Sequence, residues 1–409
     1  MDLTTLKQRM QAEIAARAAS LVDASRQIHA HPELNYDEHF AHDLLTAMLA
    51  AEGLEVQTGA YDLDTAFVAR AGTTGPTVAV LCEYDALPGI GHACGHNIIA
   101  TAGLGAGLAA AALAEEAGCR VVVMGTPAEE GGGGKIVMAG RGAFDGVDAA
   151  MMVHPAGADL ARMEVIAVQE VAAIYTGEAA HAAAFPHRGR NALDAAVLGY
   201  LNVSALRQHI RSNERVHGIV VDGGDKPNIV PAHARTEWMV RSASIRTLAP
   251  LKERVEACLR AGATASGCEV QIAWKPVVYA DMLDNSVMVE HYTANAATLG
   301  RTMVPPDPKL SVVGSTDMGN VSYVVPSIHP MIQAAPTGVP IHTPEFATHA
   351  ASDMGDRAVL DGATALAWTI ADLWLADGVL DAVRAEFAAT MDRVGPEARR
   401  SAIGGGGGA

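Results

Sequence analysis

Three kinds of residue or segment are scarce in this sequence, and each scarcity argues against a class of protein. Only 5 of the 409 residues are cysteine, an odd number at scattered positions, so we do not expect the disulfide framework of a secreted domain. Free thiols favour a reducing compartment, and we predict a cytoplasmic protein. Lysine and arginine number 29 against 46 aspartates and glutamates, which gives a net charge of −17. Nucleic-acid and anionic-membrane partners are therefore not expected, since both need clustered basic side chains.

Long apolar segments are also rare. Residues 1–7 contain no apolar stretch of the kind that forms the middle of a signal peptide, so none is predicted. The run at 98–114 is apolar but shorter than a bilayer span, and it consists mostly of alanine and glycine. We predict a buried helix of small residues there. Half of the chain is apolar and 18% is charged, which is typical of a packed globular protein.

The chain is longer than the size at which a single core keeps growing, so we expect two domains. Alternating strands and helices predict an α/β domain with a mostly parallel sheet. The order strand-helix-strand-strand-helix-strand then predicts an inserted domain of the split ferredoxin-like kind. The predicted divisions are 1–166 and 277–394 for the two parts of the α/β domain, 167–276 for the inserted domain and 395–409 for a flexible tail.

The predicted elements set out this organisation. In the first part we expect helices at 1–30, 36–52 and 97–117 and strands at 65–70, 77–82, 120–125 and 149–154. In the inserted domain we expect strands at 170–180, 215–223, 234–243 and 269–275 and helices at 191–211 and 249–265. Functional groups in parallel sheets collect beyond the carboxyl ends of the strands. Three strands of the first part end at side chains that can bind metal: Cys94 and His96, Glu129 and Glu130, and His154.

The most informative stretch is EYDALPGIGHACGHN, residues 83–97, which follows a fully apolar strand. Cys94 and His96 are two residues apart, so on an extended or looping backbone their side chains can face the same way. A thiolate and an imidazole that converge beside a strand end can bind a divalent metal. Taken alone, the pair also fits a buried thiol next to a core histidine. The downstream residues favour the metal site.

Glu129 and Glu130 are adjacent, so on an extended backbone they point in opposite directions and can take different roles. One carboxylate can bind metal while the other carries a proton. Glycines and Lys135 follow, but a phosphate-binding loop would need glycine in place of Glu129 and Ser or Thr in place of Ile136, so we exclude nucleotide binding. His342, in a loop between two prolines, is a further candidate ligand.

At this point the sequence resembles metallopeptidase/aminoacylase family M20, over residues 20 to 375. The subgroup it resembles contains p-aminobenzoyl-glutamate hydrolase, auxin-conjugate and hippurate amidohydrolases and β-alanyl-lysine dipeptidase. The blocks that carry the likeness are EYDALPG at 83–89, GHACGHN at 91–97, PAEEG at 127–131, IHAHPEL at 28–34, residues 220–231 and GSTDMGNVS at 314–322. Asn97 stands where many relatives carry aspartate, a form shared with the aminobenzoyl-glutamate and β-alanyl-lysine branches.

The resemblance implies a catalytic α/β domain with two divalent metal ions (zinc or manganese, or else cobalt) and an inserted dimerisation domain, hence a homodimer. The implied metal ligands are Cys94, His96, Glu130, His154 and His342. The implied catalytic residues are Glu129, as general acid/base, and His181, which would reach across the dimer to the oxyanion. Other implied residues are Asn228, Gly314 and Ser315, which would bind substrate, and Asp85, which would support the ligands.

The implied reaction is hydrolysis of the amide bond of a small N-acyl amino acid or dipeptide. Two cations would activate a shared water, and Glu129 would move its proton to the leaving amine. An aminohydrolase that releases ammonia from an aromatic amine would use the same site. A metal-binding scaffold without turnover is the alternative from another class.

Overall fold

The computed structural model describes residues 1–304 and 313–404. The helices of these residues are α1 Leu3–Ala16, α2 Ala18–Ala30, α3 His39–Ala51, α4 His96–Ala117, α5 Gly134–Gly140, α6 Ala192–Leu206, α7 Ile245–Ser266, α8 Ser286–Thr298, α9 Met318–Val321, α10 Pro344–Ala350, α11 Asp353–Leu375, α12 Val379–Val394 and α13 Pro396–Ala402. The strands are β1 Val56–Thr58, β2 Phe67–Ala71, β3 Thr77–Cys82, β4 Arg120–Gly125, β5 Ala149–Met151, β6 His154–Ala156, β7 Glu164–Val165, β8 Ala167–Thr176, β9 Arg215–Asp222, β10 His233–Ser242, β11 Glu269–Trp274, β12 Val313–Gly314, β13 Ser327–Ile328 and β14 Met331–Gln333.

The chain divides into two compact units. The first contains Met1–Glu164 and Met282–Ile403, and the second contains Val165–Asp281. The first unit is therefore discontinuous in sequence. The predicted insertion, 167–276, lies within the second unit.

A six-stranded sheet forms the centre of the first unit, in the order β1-β2-β4-β3-β5-β13. β3 pairs parallel with both β4 and β5, and β13 pairs parallel with β5, while β1 and β2 are antiparallel at one edge. Every residue of β3 is buried, as expected for a strand covered on both faces. The predicted α/β architecture with a mostly parallel sheet is confirmed. Its consequence is that the carboxyl ends of β3, β4 and β5 meet at one edge.

Helix α4 packs directly against this sheet, and its small residues make the close approach possible. A Cβ atom on Gly103 would lie 2.6 Å from the carbonyl oxygen of Leu81 in β3, so only glycine fits there. By length and apolar character α4 and α11 could each span a membrane, but 89% and 83% of their apolar windows are buried in the fold. They are core helices, as predicted for α4. The first residue of α4 is His96.

The N-terminal helix is not continuous. It was predicted over 1–30, but it breaks at Arg17, whose backbone φ is −102° and ψ is 3°. The Arg17 guanidinium bonds to Glu13 of α1 and to Glu52, the residue that directly follows α3. The break lets both α1 and α2 pack on α4.

The second unit has the predicted βαββαβ order. Its four strands are all antiparallel, in the order β11-β8-β10-β9, and helices α6 and α7 pack on the sheet. Strand β9 is an edge strand, and its residues Ile219, Val220 and Val221 are exposed. An exposed apolar edge strand is unusual in an isolated domain, because it can pair with another chain.

The C-terminal segment differs from the prediction of a flexible tail from residue 395. Residues Pro396–Ala402 form helix α13. Ala398 and Ala402 are four residues apart on one face of this helix and are buried, and the Asn320 side-chain amide donates to the Ala402 carbonyl oxygen. These contacts attach the helix to the rest of the fold. Residues 405–409 lie outside the described residues.

Candidate metal centre

The five side chains predicted to bind metal converge in the first unit. The Cys94 Sγ atom lies 3.3 Å from His154 Nε2 and 3.3 Å from His342 Nε2. The same His342 nitrogen lies 3.5 Å from Glu130 Oε1, and that oxygen is 3.7 Å from His96 Nε2. Segments as distant in sequence as the β3 loop and the loop before α10 therefore supply one cluster of donor atoms.

The donors form two groups of three that share the Cys94 sulfur. One group is Cys94, His96 and His154, and the other is Cys94, Glu130 and His342, with the ligand atoms of each group within 4.8 Å of one another. Zn–N and Zn–S bonds of about 2.0–2.3 Å place two ligands of one ion at most about 4.6 Å apart. Each group thus has the dimensions of a cation site, and the Cys94 sulfur belongs to both groups.

Unsatisfied buried atoms also indicate a cation. Among the described residues, His96 Nε2 and Glu130 Oε1 are buried and have no hydrogen-bond partner. Such atoms are costly in a native structure unless something else satisfies them. Sulfur, nitrogen and oxygen donors together suit zinc, manganese or cobalt. The residues present therefore fit a pair of divalent metal ions.

The pair Cys94 and His96 lies at a junction of loop and helix. Gly95, between them, has a φ of 79° and precedes the first residue of α4. A Cβ atom at Gly95 would lie 2.5 Å from Pro155 Cγ, next to His154. Both the left-handed backbone and this close contact therefore require glycine. The looping backbone makes the two side chains converge, as the spacing predicted.

Two residues without the freedom of glycine adopt a left-handed backbone here. Ala128, just before Glu129, has a φ of 59°, and His342 has a φ of 64°. A buried carboxylate holds the first, since Glu38 Oε1 accepts the Ala128 N–H at 2.8 Å. The His342 N–H donates to the Ala93 carbonyl oxygen at 2.8 Å. Such conformations cost about 1–3 kcal/mol each and are concentrated at functional sites.

Asp85, predicted to support the ligands, contacts two of the predicted ligands. Its Oδ1 lies 3.0 Å from His96 Nδ1, and its Oδ2 accepts the backbone N–H of Glu130 at 2.9 Å. Burial alone would raise the pKa of Asp85, but His96 outweighs it, so the pKa lies below its ordinary value. The bond orients the imidazole with Nε2 towards the other donors. His154 is oriented in a similar way, by the Pro155 carbonyl oxygen 2.7 Å from Nδ1.

The two adjacent glutamates take different neighbours. Glu130 belongs to the group with Cys94 and His342, whereas Glu129 forms a third group with Glu83 and His96. Burial raises the pKa of Glu129 well above its usual range, and the carboxylates of Glu83 and Glu130 act in the same direction. A carboxyl with a raised pKa holds its proton more tightly than a solvated glutamate does.

Three fully buried charged residues next to this cluster were not singled out from the sequence. Lys135 Nζ lies 2.6 Å from Glu83 Oε1 and 2.7 Å from Asp317 Oδ1, and none of the three side chains is exposed. Burial works to lower the pKa of Lys135, but Asp317 and Glu83 outweigh it and raise it, so the ammonium stays charged. Glu83 follows β3 directly, so the rule used for the other strand ends would have included it. Lys135 and Asp317 carry no comparable signal.

His181 and Asn228 lie in the second unit, in neighbouring loops. The Ala182 N–H donates to the Asn228 carbonyl oxygen at 3.1 Å, and both His181 and Asn228 are exposed. The His181 Nδ1 atom accepts the N–H groups of Ala183 and Ala184 at 3.3 and 3.2 Å. In the neutral ring the proton is therefore on Nε2, which makes that nitrogen a hydrogen-bond donor.

Gly314 and Ser315, predicted to bind substrate, lie in the first unit before α9. A Cβ atom at Gly314 would lie 3.3 Å from the Met163 methyl carbon. Two residues after Ser315 comes Asp317, which contacts Lys135. The segment therefore leads into the buried charged cluster.

Comparison with known proteins gives the family. The model for peptidase family M20/M25/M40 matches residues 62–367. The mouse Xaa-Arg dipeptidase is 41% identical over 401 residues, covering 94% of this chain and 93% of the relative. A p-aminobenzoyl-glutamate hydrolase chain of Escherichia coli K12 is 28% identical over 452 residues, covering 93% of this chain and 94% of the relative.

Solved structures give the same result for the fold. A dinuclear metal-binding peptidase of the M20 family from Bacillus subtilis matches with a TM-score of 0.69 and 20% identity, covering 88% of this chain and 99% of that one. At this identity the match concerns the fold alone. It agrees with the α/β domain and the inserted domain seen here.

Proposed function

This chain belongs to peptidase family M20/M25/M40, and from that membership we propose a two-metal amidohydrolase that acts on small dipeptides. The predicted family is confirmed. The family and the named relatives support hydrolysis of the amide bond of a small N-acyl amino acid or dipeptide. The observation that carries the proposal is the pair of donor groups that share Cys94 and lie beside Glu129.

We assign the two cations to these donor groups. One would be held by Cys94, His96 and His154, and the other by Cys94, Glu130 and His342. When bound, such ions lower the pKa of a water molecule and polarise the substrate carbonyl. Manganese, zinc and cobalt all suit the donors, and metal analysis of protein purified without chelator would identify the ion.

Glu129 is the residue proposed to move protons. Its buried carboxyl would take the proton of the attacking water and return it to the nitrogen of the leaving amine. Its position beside His96, a member of one donor group, suits both steps. Asp85 would keep His96 and Glu130 in place during the reaction. No covalent intermediate with the protein is required.

We further propose that the enzyme is a homodimer and that His181 of one chain acts at the metal centre of its partner. The exposed apolar residues of edge strand β9 support pairing with a second copy. The proton on His181 Nε2 suits donation to the developing oxyanion, a contact worth about 3–4 kcal/mol in the transition state. Asn228, next to it, would bind the polar end of the substrate.

Mixing two inactive variants tests the dimer and the role of His181 together. His181→Ala and Glu129→Gln chains each lack one catalytic group, so a mixed dimer contains one intact site. We expect partial recovery of activity after the chains exchange between dimers, which labelled chains and native mass spectrometry would verify. No recovery despite verified exchange would rule out action across the interface.

The relatives suggest the substrate class. Because the mouse and human proteins, 41% and 40% identical, are Xaa-Arg dipeptidases, we propose a dipeptide with a basic C-terminal residue. A panel of β-alanyl-arginine, glycyl-arginine, p-aminobenzoyl-glutamate and hippurate, assayed for released amino acid and for ammonia, tests this. Ammonia without amino acid would support an aminohydrolase instead. No turnover of any substrate by metal-loaded protein would support the scaffold.

The cytoplasm remains the proposed location. All five cysteines are free thiols, including Cys94, whose proposed role needs the reduced form.

A further inference from the structure

A third set of donor atoms overlaps the proposed metal centre. Glu83, His96 and Glu129 each offer a ligand atom within 4.8 Å of the others. His96 must contribute Nε2 to this set, because its Nδ1 faces Asp85. Glu83 Oε2 lies 3.7 Å from that nitrogen, and both atoms are buried without a hydrogen-bond partner among the described residues. The same His96 nitrogen can therefore join either the Cys94 set or the Glu83 set.

A metal ion in the Glu83 set would oppose the proposed chemistry. It would take Glu129 as a ligand, and a carboxylate bound to a dication is a poor base. It would also draw His96 away from the ion it shares with Cys94. An enzyme that uses Glu129 to move a proton needs this third position kept free of metal.

Lys135 places a positive charge next to this set, on the other carboxylate oxygen of Glu83. Its Nζ lies 2.6 Å from Glu83 Oε1, and it is held by Asp317 through two bonds, one to Nζ at 2.7 Å and one to the backbone N–H at 2.9 Å. The residue lies in the first turn of α5 and is fully buried, so the ammonium cannot swing out to solvent. A dication bound between Glu83 and Glu129 would face this fixed charge at close range in a low-dielectric site.

We infer that Lys135 is a built-in cation that excludes metal from the Glu83–His96–Glu129 set and so reserves Glu129 for proton transfer. Lys135 is thus a positioning residue. The inference rests on the proposed function, because it presumes that Glu129 carries the proton, but its central claim concerns how many metal ions the chain binds.

The test counts metal ions in a variant that lacks the ammonium. Lys135→Met protein, stripped with chelator and titrated with Mn²⁺ alone, is followed by calorimetry and elemental analysis. We expect three equivalents of Mn²⁺, against two for the unaltered chain. Lys7→Met is the matched control, since Lys7 also pairs with an aspartate, Asp372 at 2.6 Å, but lies outside the metal centre. It should bind two.

Activity supplies a second readout. As the third equivalent loads, kcat of Lys135→Met should fall about 10²–10⁴-fold, the usual contribution of a general base, while KM changes little. Lowering free Mn²⁺ until two equivalents remain should restore kcat. Binding of only two equivalents, or a loss of activity that does not depend on the third, would overturn the inference.

A second variant, Lys135→Gln, covers the case in which Lys135→Met does not fold, because it also removes the charge but keeps a polar group that can bond to Asp317. We expect it to bind three equivalents of Mn²⁺ as well. Binding of only two equivalents by folded Lys135→Gln protein would overturn the inference. Failure of the unaltered chain to bind two ions or to hydrolyse any dipeptide would instead refute the proposed function.

Discussion

Replacing Asp85 by asparagine should weaken metal binding without removing any ligand. The two carboxylate oxygens of Asp85 serve two different groups, His96 Nδ1 at 3.0 Å and the Glu130 N–H at 2.9 Å. An amide has one oxygen and one NH₂ group, so it can accept from only one of them. The group left over, either His96 Nδ1–H or the Glu130 N–H, would face the amide NH₂, which is also a donor. Asp85 is too deeply buried for water to accept that hydrogen bond instead.

The size of the effect follows from these contacts. Changes to residues that support metal ligands cost about 10–100-fold in affinity, or about 1.4–2.8 kcal/mol. A buried group left without its partner costs the protein about 1–3 kcal/mol more, whether metal is present or not. Asp85→Asn should therefore lower both the metal affinity and the stability of the metal-free protein.

Competition with a fluorescent chelator measures the affinity, and urea unfolding in the presence of chelator measures the stability. Asp159→Asn is the matched control, because Asp159 is also buried and accepts a backbone N–H, from Gln333 at 2.8 Å, but lies outside the donor groups. It should lose stability and keep its metal affinity. If Asp85→Asn binds metal within twofold of the unaltered chain, the assigned role of Asp85 is wrong.

Three further predictions use other parts of the structure. Glu129→Gln should lower kcat about 10²–10⁴-fold while elemental analysis still finds two metal ions, and a metal-depleted variant would contradict its role as a base. Cys94→Ala should lose both ions because both donor groups use its sulfur, whereas His342→Ala should lose one, and equal losses would contradict the sharing. Burial raises the pKa of Asp284 from 3.8 to about 6, so ionisation of this carboxyl lowers the free energy of unfolding. The loss is absent below pH 3.8, grows as the pH rises and is complete above pH 6. Asp284→Asn should therefore raise the free energy of unfolding by about 3 kcal/mol at pH 7.5 and leave it unchanged at pH 3.5, and an equal change at both values in urea unfolding would refute the pKa shift.

The sequence was most informative where one strong pattern acted alone. β3 and β4 begin and end at the predicted residues, since fully apolar runs between turns admit little else. Because parallel strands end at one edge, that placement also predicted which distant side chains meet. Helix ends follow less directly from the apolar pattern. α7 begins at Ile245 and not at the predicted 249, because Ser244 and Thr247 form a capping box.

What the sequence did not reveal were contacts that depend on three-dimensional packing. Nothing in the run of glycines before Lys135 indicates that its ammonium will be buried between Glu83 and Asp317, since a lysine after a loop is usually solvated. The same holds for Glu38, which fixes the backbone of Ala128 from a segment 90 residues away. Such interactions leave no periodicity and no motif spacing, so only the fold discloses them.

The charges of the site connect these findings. Five carboxyl groups, those of Glu83, Asp85, Glu129, Glu130 and Asp317, the Cys94 thiol and the Lys135 ammonium belong to the donor groups or contact them directly or through Lys135. If every acid is ionised, one bound dication would leave three surplus negative charges on these groups. Two bound dications would leave one surplus negative charge, and a proton on Glu129 would cancel it. A pair of metal ions is therefore the loading at which the buried site is close to neutral and Glu129 still holds or releases its proton. A third ion beside Lys135 would reverse the sign of the site, but without that lysine it would complete the neutralisation.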